Sequence, residues 1–487
     1  MEVQVISKEI IKPSTPTPPH LRNFKISLID QLLLPVYNPV VIFFPANDVH
    51  EPDNNNNDYS SKTKILKKSL SETLARFYPM AGRLKDNISI ECNDEGIDYI
   101  EAKVNAMMSE FMNVDVVHQL HPSHIIAENV AKQAQMAVQV NLFDCGGIAI
   151  SLCVSHKIID GSSAVTFMRS WSVTARAAIN QEEEVLYPTF DSAAIFPALP
   201  PGVQVSSLES YDSIRGENVV TKLFLFNASK IAALRARVAE SRSSNMLSRY
   251  PTRTEAISAL VWKSFMEANR VNVTRKHKLF STKPIIIRSK ANFSVNLREK
   301  LNPPLPNESF GNIITTAAAE STIIDNDEDT LGFVDTLDGL ISRLRLGVSG
   351  INDEYIRKFQ EGDVEFLKEL VDHEGNENEE EKVHICWISS LCRYPFYELD
   401  FGWGKPLWFA LNTFSEYKNS VSLVGTKCGT GIEAWVSLEK EDMAVFEEDQ
   451  DLLQYAKNIN TPDPVVGFVE YPFLGQGNRK KEPVSRL

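Results

Sequence analysis

Ser155-His156-Lys157-Ile158-Ile159-Asp160-Gly161 sets an imidazole four residues before a carboxylate and closes the string with a glycine. Histidine is the side chain whose unperturbed pKa lies closest to neutrality. His156 is therefore suited to take a proton from an alcohol or amine and return it to a leaving group. Asp160 would fix the ring's orientation or brace the turn. The His-x-x-x-Asp spacing alone arises cheaply by chance among nine histidines in an acidic chain. A core histidine bonded to a turn aspartate is the plain alternative, and only context separates the two. Far downstream, Asp400-Phe401-Gly402-Trp403-Gly404 brackets a tryptophan with glycines behind an aspartate. Its indole N–H is suited either to hold an oxyanion or to plug a core. The chain has no G-x-S-x-G elbow, P-loop or G-x-G-x-x-G string, which argues against serine hydrolase, kinase and NAD chemistry.

The elements that must hold these groups are legible. Met136, Val138, Val140 and Leu142 alternate along one segment, Asp144-Cys145-Gly146-Gly147 turns the chain, and Ile148, Ile150, Leu152 and Val154 alternate on the return. This is a β-hairpin pattern, with His156 just past the strand end. Gly161-Ser162-Ser163 opens a helix that buries Val165, Met168 and Trp171, and Cys153 reads as core. Upstream, Val40–Phe44 is a strand ended by Pro45, and Asp53–Asp58 is read as a surface loop. Ile65, Leu66, Leu70, Leu74 and Phe77 have helical spacing, stopped by Tyr78-Pro79-Met80-Ala81-Gly82-Arg83. The Pro-, Gly- and Ser-rich stretch from Tyr187 to Glu217 is too long for an ordinary loop and reads as a crossover between domains. Beyond it lie a strand over Val219–Phe226, a helix over Ile231–Val238, and a capping box, Thr252-x-x-Glu255, opening a helix that buries Ile257, Leu260, Val261, Phe265 and Ala268. The acidic run Asp372–Glu381 reads as a solvated loop.

At 487 residues and 43% hydrophobic, the chain has material for two cores. Its 64 acidic against 50 basic residues argue against a nucleic-acid or anionic-membrane partner. Six cysteines without C-x-x-C or zinc spacing predict free thiols and no metal site. Met1–His20 lacks the apolar core of a secretory signal, and no stretch is long enough for a membrane span. A cytosolic protein is expected. Ser485-Arg486-Leu487 resembles a Ser-Lys-Leu type peroxisomal address and gives the alternative location.

His156-x-x-x-Asp160 followed by Asp400-Phe401-Gly402-Trp403-Gly404 resembles the plant BAHD acyl-CoA-dependent acyltransferases, most of all the group of alkaloid acetyltransferases. Further matches run along nearly the whole chain: Leu28-Ile29-Asp30, Tyr78 to Arg83, Asn296-Leu297-Arg298 with Pro303-Pro304-Leu305-Pro306, Phe310-Gly311-Asn312, and Gly431-Ile432-Glu433-Ala434-Trp435. The resemblance implies an α/β (α+β) fold of two chloramphenicol-acetyltransferase-like domains, each a mixed sheet flanked by helices, with a channel between them. The domains would span 1–187 and 218–487, joined by the crossover 188–217, with roughly 404–421 packing back on the first.

It further implies that His156 is the general base in mid-channel, reached by acyl-CoA from one side and a small-molecule acceptor from the other. Asp160 would brace its loop through an ion pair, Asp400 would pair with an arginine, here Arg298, and Trp403 would be an oxyanion donor. Arg253 and Thr254 at the capped helix suit a coenzyme A phosphate, with simple capping as the equal alternative. Val424-Gly425-Thr426-Lys427 departs from the Met-Asp-Thr-Arg-like string of the relatives. Lys427 is thus a partner for the free carboxylate of malonyl-CoA, although acetyl-CoA is the first expectation. No permanent cofactor is implied, and a monomer is expected. The acceptor is expected to carry its hydroxyl on an alkaloid or terpenoid. A hydrolase using the same histidine and a non-catalytic ligand-binding relative are the rival readings.

Overall fold

The computed structural model describes residues 2–46, 55–122, 134–180, 185–199, 215–240, 249–277, 285–325, 331–333, 336–371, 383–411 and 417–462. The strands of the first half are β1 Val3–Ile11, β2 Asn23–Lys25, β3 Tyr37–Phe44, β4 Arg83–Lys85, β5 Ser89–Glu91, β6 Ile97–Val104, β7 Met136–Phe143 and β8 Ile148–Ser155. Those of the second are β9 Val219–Phe226, β10 Ile285–Asn296, β11 Ile314–Asp325, β12 Leu331–Phe333, β13 Val383–Ser390, β14 Trp408–Leu411, β15 Ser420–Gly425, β16 Ile432–Glu439 and β17 Lys457–Ile459.

A six-stranded sheet runs in the order β1-β6-β7-β8-β3-β14, and an eight-stranded sheet in the order β12-β11-β10-β13-β15-β16-β9-β17. Both are mixed: β6 and β7 are parallel in the first, and β10, β13 and β15 in the second. β2, β5 and β4 form a small third sheet. The expected hairpin is present as β7 and β8, but every residue of both strands is buried rather than one face only. Helices Asn55–Arg76 and Gly161–Asn180 cover one face. They are tied together where the Trp171 indole donates to the Leu66 carbonyl at 3.2 Å and to Ser69 Oγ at 3.0 Å. The second half of the chain and the small sheet cover the other. The helix expected from Ile65 already begins at Asn55, inside the string read as a loop. Asparagine favours helix N-termini as readily as loops, so composition alone placed that boundary wrongly.

In the second sheet, Phe224, Phe226, Ala291, Ile388, Leu423, Ala434 and Val436 pack beneath helices such as Arg253–His277 and Leu337–Gly350. Side chains alternate across a strand, so Ser294, Ser389, Ser422 and Trp435 occupy the opposite face. That face meets the first sheet. β14 comes from late in the chain yet pairs with β3, and its Trp408 stacks on Phe43 and on Trp435, each at 5.6 Å between ring centroids. By Ser420 the chain has returned to the second sheet. Thr189 contacts the second half of the chain: its N–H bonds Glu308 O at 3.0 Å and its carbonyl accepts from Phe310 N at 2.8 Å. Asp53, most of the crossover beyond Leu199, Asp372–Glu381 and Ser485–Leu487 lie outside the described residues.

Candidate active site

β8 delivers His156. Ser155 is its last residue, and the His156 N–H donates to Val36 O at 2.7 Å, which fixes the backbone at the start of β3. Among Ser151–Asp160 only His156 is not fully buried. Nδ1 lies 3.2 Å from Asn312 Oδ1. The Asn312 amide is oriented by its own donors, since Nδ2 reaches Asp30 Oδ1 at 2.7 Å and His156 O at 2.8 Å. Flipping the amide would set its oxygen against two other oxygens, so Asn312 Oδ1 must face the ring. Nδ1 is therefore the donor, and Nε2 keeps its lone pair.

Lys157 points the other way. Its buried ammonium donates to Gln31 O at 2.9 Å and Leu33 O at 2.7 Å, ending the short Leu28–Leu32 helix. Burial lowers its pKa to about 8, with the nearby Asp30 charge pulling upward. Asp30 itself is fully enclosed, and burial raises its carboxyl pKa against four hydrogen bonds from Ser27 and Asn312.

Asp160 is the N-cap of helix Gly161–Asn180. Its Oδ1 accepts from Ser163 N at 2.9 Å and its carbonyl from Ala164 N at 2.9 Å. Gly161 is required here for space, because a Cβ would come within 2.8 Å of the Tyr394 ring. The Asp160 carboxylate also forms a bidentate pair with Arg298, Nη1 to Oδ2 at 2.7 Å and Nη2 to Oδ1 at 3.2 Å. Ile313 N adds a bond to Oδ2 at 3.1 Å. Burial works against ionisation, but the guanidinium and the backbone donors outweigh it and hold the carboxyl below the ordinary aspartate range. Asp160 and His156 thus hold adjacent residues of one segment, Ile313 and Asn312.

Two expectations are corrected. Arg298 does not pair with Asp400; its hydrogen bonds go to Asp160, Ser163, Asn296, Ser309 and Gly311. Asp400 Oδ1 instead accepts from Gly402 N at 2.8 Å and Gly404 N at 3.1 Å, folding its own loop, while its carbonyl takes Arg176 Nη1 at 3.0 Å. Gly402 and Gly404 hold φ of 105° and 103°, a region that favours glycine. The loop drives Phe401 and Trp403 inward. Phe401 packs edge-on to Phe44 and Trp171 and stacks with Trp403.

Trp403 consequently belongs to the Phe44 end of β3, whereas His156 is bonded at Val36, the other end. Eight residues of strand separate them, roughly 25 Å at about 3.3 Å per residue. Trp403 is not an oxyanion donor to chemistry at His156. Its glycine-bracketed appearance reflects a tight loop.

Arg253 and Thr254 open the long helix Arg253–His277 at an exposed end. Arg253 Nη1 donates to Gly429 O at 2.9 Å and Thr430 O at 3.2 Å, and so holds the turn between β15 and β16. The Thr254 hydroxyl lies 3.3 Å from that of Thr252. Lys427 is exposed on the same turn. β10, β13 and β15 run parallel, and their carboxyl ends share one edge of the sheet. That edge carries both this turn and, through the Leu297 N–H to Ile313 O bond, the segment holding Asn312.

Residues that sequence reasoning missed also line this face. Thr316, Ser294, Ser389 and Ser422 lie side by side on β11, β10, β13 and β15, with Ser294 and Ser389 hydroxyls 3.3 Å apart. None of the four is fully buried. Small hydroxyl residues on alternating strand positions were the only available signal, and they are scattered over 129 positions of chain.

The whole-chain comparison bears on what such a site does. Residues 1–453 match the family model described as Transferase family. Salutaridinol 7-O-acetyltransferase of Papaver somniferum is 36% identical over 91% of this chain and 96% of its own. A limonoid 1-O-acetyltransferase of Citrus sinensis is 36% identical over 94% and 98%. The crystal structure of vinorine synthase superposes with a TM-score of 0.73 at 31% identity, covering 95% of this chain and 99% of that one. The chain belongs to the Transferase family, the BAHD acyl-CoA-dependent O-acyltransferases of specialised metabolism.

Proposed function

We propose that this protein moves an acetyl group from acetyl-CoA to a hydroxyl of an alkaloid or terpenoid, with His156 as the general base. The observation that carries the reading is the Asn312 contact, which commits Nδ1 as a donor and leaves the Nε2 lone pair to accept a proton. Nε2 takes the acceptor's hydroxyl proton as its oxygen attacks the thioester carbonyl. The tetrahedral intermediate then collapses, the C–S bond breaks, and protonated His156 returns the proton to the departing coenzyme A sulfur. No acyl-enzyme is required, and buried Cys153 is not placed to form one.

Acetyl is favoured as donor because a small neutral acyl group needs no paired charge. The kinship with acetyltransferases of alkaloids and limonoids supports the acceptor class. Lys427, Arg253 and Thr254 gather at the carboxyl edge of the parallel strands, where cationic and N–H groups suit the phosphates of coenzyme A. A preference for malonyl-CoA would assign Lys427 to the acyl carboxylate instead.

The test is turnover with labelled acetyl-CoA or malonyl-CoA and a panel of hydroxylated alkaloids and terpenoids. His156→Ala is expected to lose about 10²–10⁴-fold in kcat with an unchanged melting temperature, the usual worth of a general base. Wild-type-like transfer by a folded H156A protein overturns the assignment. Release of free acid without acylated product would make the protein a hydrolase.

A further inference from the structure

The string Leu28-Ile29-Asp30 has no part in the reaction as described, yet its carboxylate is buried directly behind the site. Asp30 is 1% exposed. Its Oδ2 is consumed by Ser27, accepting the backbone N–H at 2.8 Å and the hydroxyl at 2.7 Å. Its Oδ1 turns to the other half of the chain and accepts both Asn312 N at 3.0 Å and Asn312 Nδ2 at 2.7 Å. One oxygen therefore fixes Asn312 at its backbone and at its side chain. A carboxylate that served only to cap the Leu28–Leu32 helix would need the Ser27 contacts alone.

We infer that Asp30 is a positioning residue for the transfer reaction: it locks the amide of Asn312 so that His156 is held with Nδ1 protonated and Nε2 free. The inference rests on His156 being the base. Asp30 sits in a helix against the first sheet, and Asn312 leads into β11 of the second, so the tautomer of the catalytic ring depends on the two halves being in register. The chemistry requires a carboxylate, because all four donors around Asp30 need an acceptor. An amide at this position offers one oxygen and one NH2 group, and the NH2 meets either the Asn312 donors or the Ser27 N–H. Lys157, whose stem runs to Gln31 O and Leu33 O beside it, supplies the neighbouring positive charge.

The experiment uses the full chain labelled with 15N-histidine, with His156 assigned by its loss in H156A, and reads the ring nitrogens by long-range 1H–15N NMR. Wild type is expected to show the Nδ1–H tautomer. Asp30→Asn is expected to gain the Nε2–H tautomer that free imidazole prefers. Its kcat is expected to fall about tenfold while KM for acetyl-CoA stays within about twofold, the split of a group acting on the chemical step. A wild-type ring in the Nε2–H form overturns the inference without any variant, which covers the case of D30N failing to fold. A folded D30N protein with unchanged tautomer and kcat overturns it as well, leaving Asp30 a helix cap. If folded H156A keeps its turnover, the base assignment fails, while the tautomer and its response to D30N still decide whether Asp30 positions the ring.

Discussion

Arg298 is fully buried, and its guanidinium meets an acceptor at every nitrogen. Nε and Nη2 reach Ser309 O at 3.2 and 2.7 Å, Nη2 reaches Gly311 O at 3.2 Å, and the paired nitrogens hold Asp160. Removing one partner of such a pair leaves a stranded charge, so Arg298→Met is expected to cost about 3–5 kcal/mol, measured as a shift in the urea midpoint. The pH dependence has a definite sign. The Asp160 carboxyl titrates lower in the folded protein than in the unfolded chain, so its stabilisation is present above the ordinary aspartate pKa, near 4, and is lost as pH falls below it. In R298M burial is no longer opposed by the guanidinium, so the decline in stability between about pH 5 and pH 3 is expected to flatten. A decline parallel to wild type would show that the pair is not its source. His156 and Asp160 were both visible in the sequence as one string. That they hold the adjacent residues Asn312 and Ile313 was not, because those contacts close loops of some 150 residues that no local spacing reports.

The elements explain why two strings of similar appearance have different jobs. The β7–β8 hairpin could be read from alternation and its Gly146-Gly147 turn, and it ends where the sequence puts it, one residue before the histidine. The Asp400–Gly404 loop was equally visible, but its position was not. Glycines at positive φ mark a tight turn and say nothing of which strand end it covers. Only the Phe401–Phe44 contact and the β14–β3 register place it at the far end of β3 from His156. Trp403→Phe is therefore expected to keep kcat within about threefold of wild type. Its price is packing, about 1–2 kcal/mol from lost stacking against Phe401 and the lost Lys62 contact over the ring. Steady-state kinetics alongside thermal unfolding separate the two. A hundredfold loss of kcat with unchanged stability would return Trp403 to the chemistry.

At the scale of the whole molecule, composition asked for two cores, and a Pro- and Gly-rich stretch was read as the crossover between them. The join between the two sheets includes a four-residue strand, β14, which comes from the second half and extends the first sheet; it falls within residues 404–421, which only the family resemblance placed against the first domain. Such a strand is too short to announce itself by period, and its aromatic content reads equally well as core of either lobe. Trp408 carries the join. It is 1% exposed, sandwiched between Phe43 of the first sheet and Trp435 of the second, and its indole N–H reaches the buried Glu433 carboxylate at 3.2 Å. Trp408→Ala removes both stacks and one donor from a buried carboxylate. A loss of about 3–5 kcal/mol is expected for the cavity, with a further penalty of about 1–3 kcal/mol for Glu433. The sign of a lock between lobes, rather than of packing within one, lies in cooperativity. Calorimetry of the wild type is expected to give one unfolding transition, and of W408A two, as the lobes uncouple. Turnover is expected to fall with the lobe contacts, because Asp30 and Asn312 meet only when both sheets are in register. A single, merely shifted transition in W408A with undiminished kcat would show that the lobes are joined elsewhere.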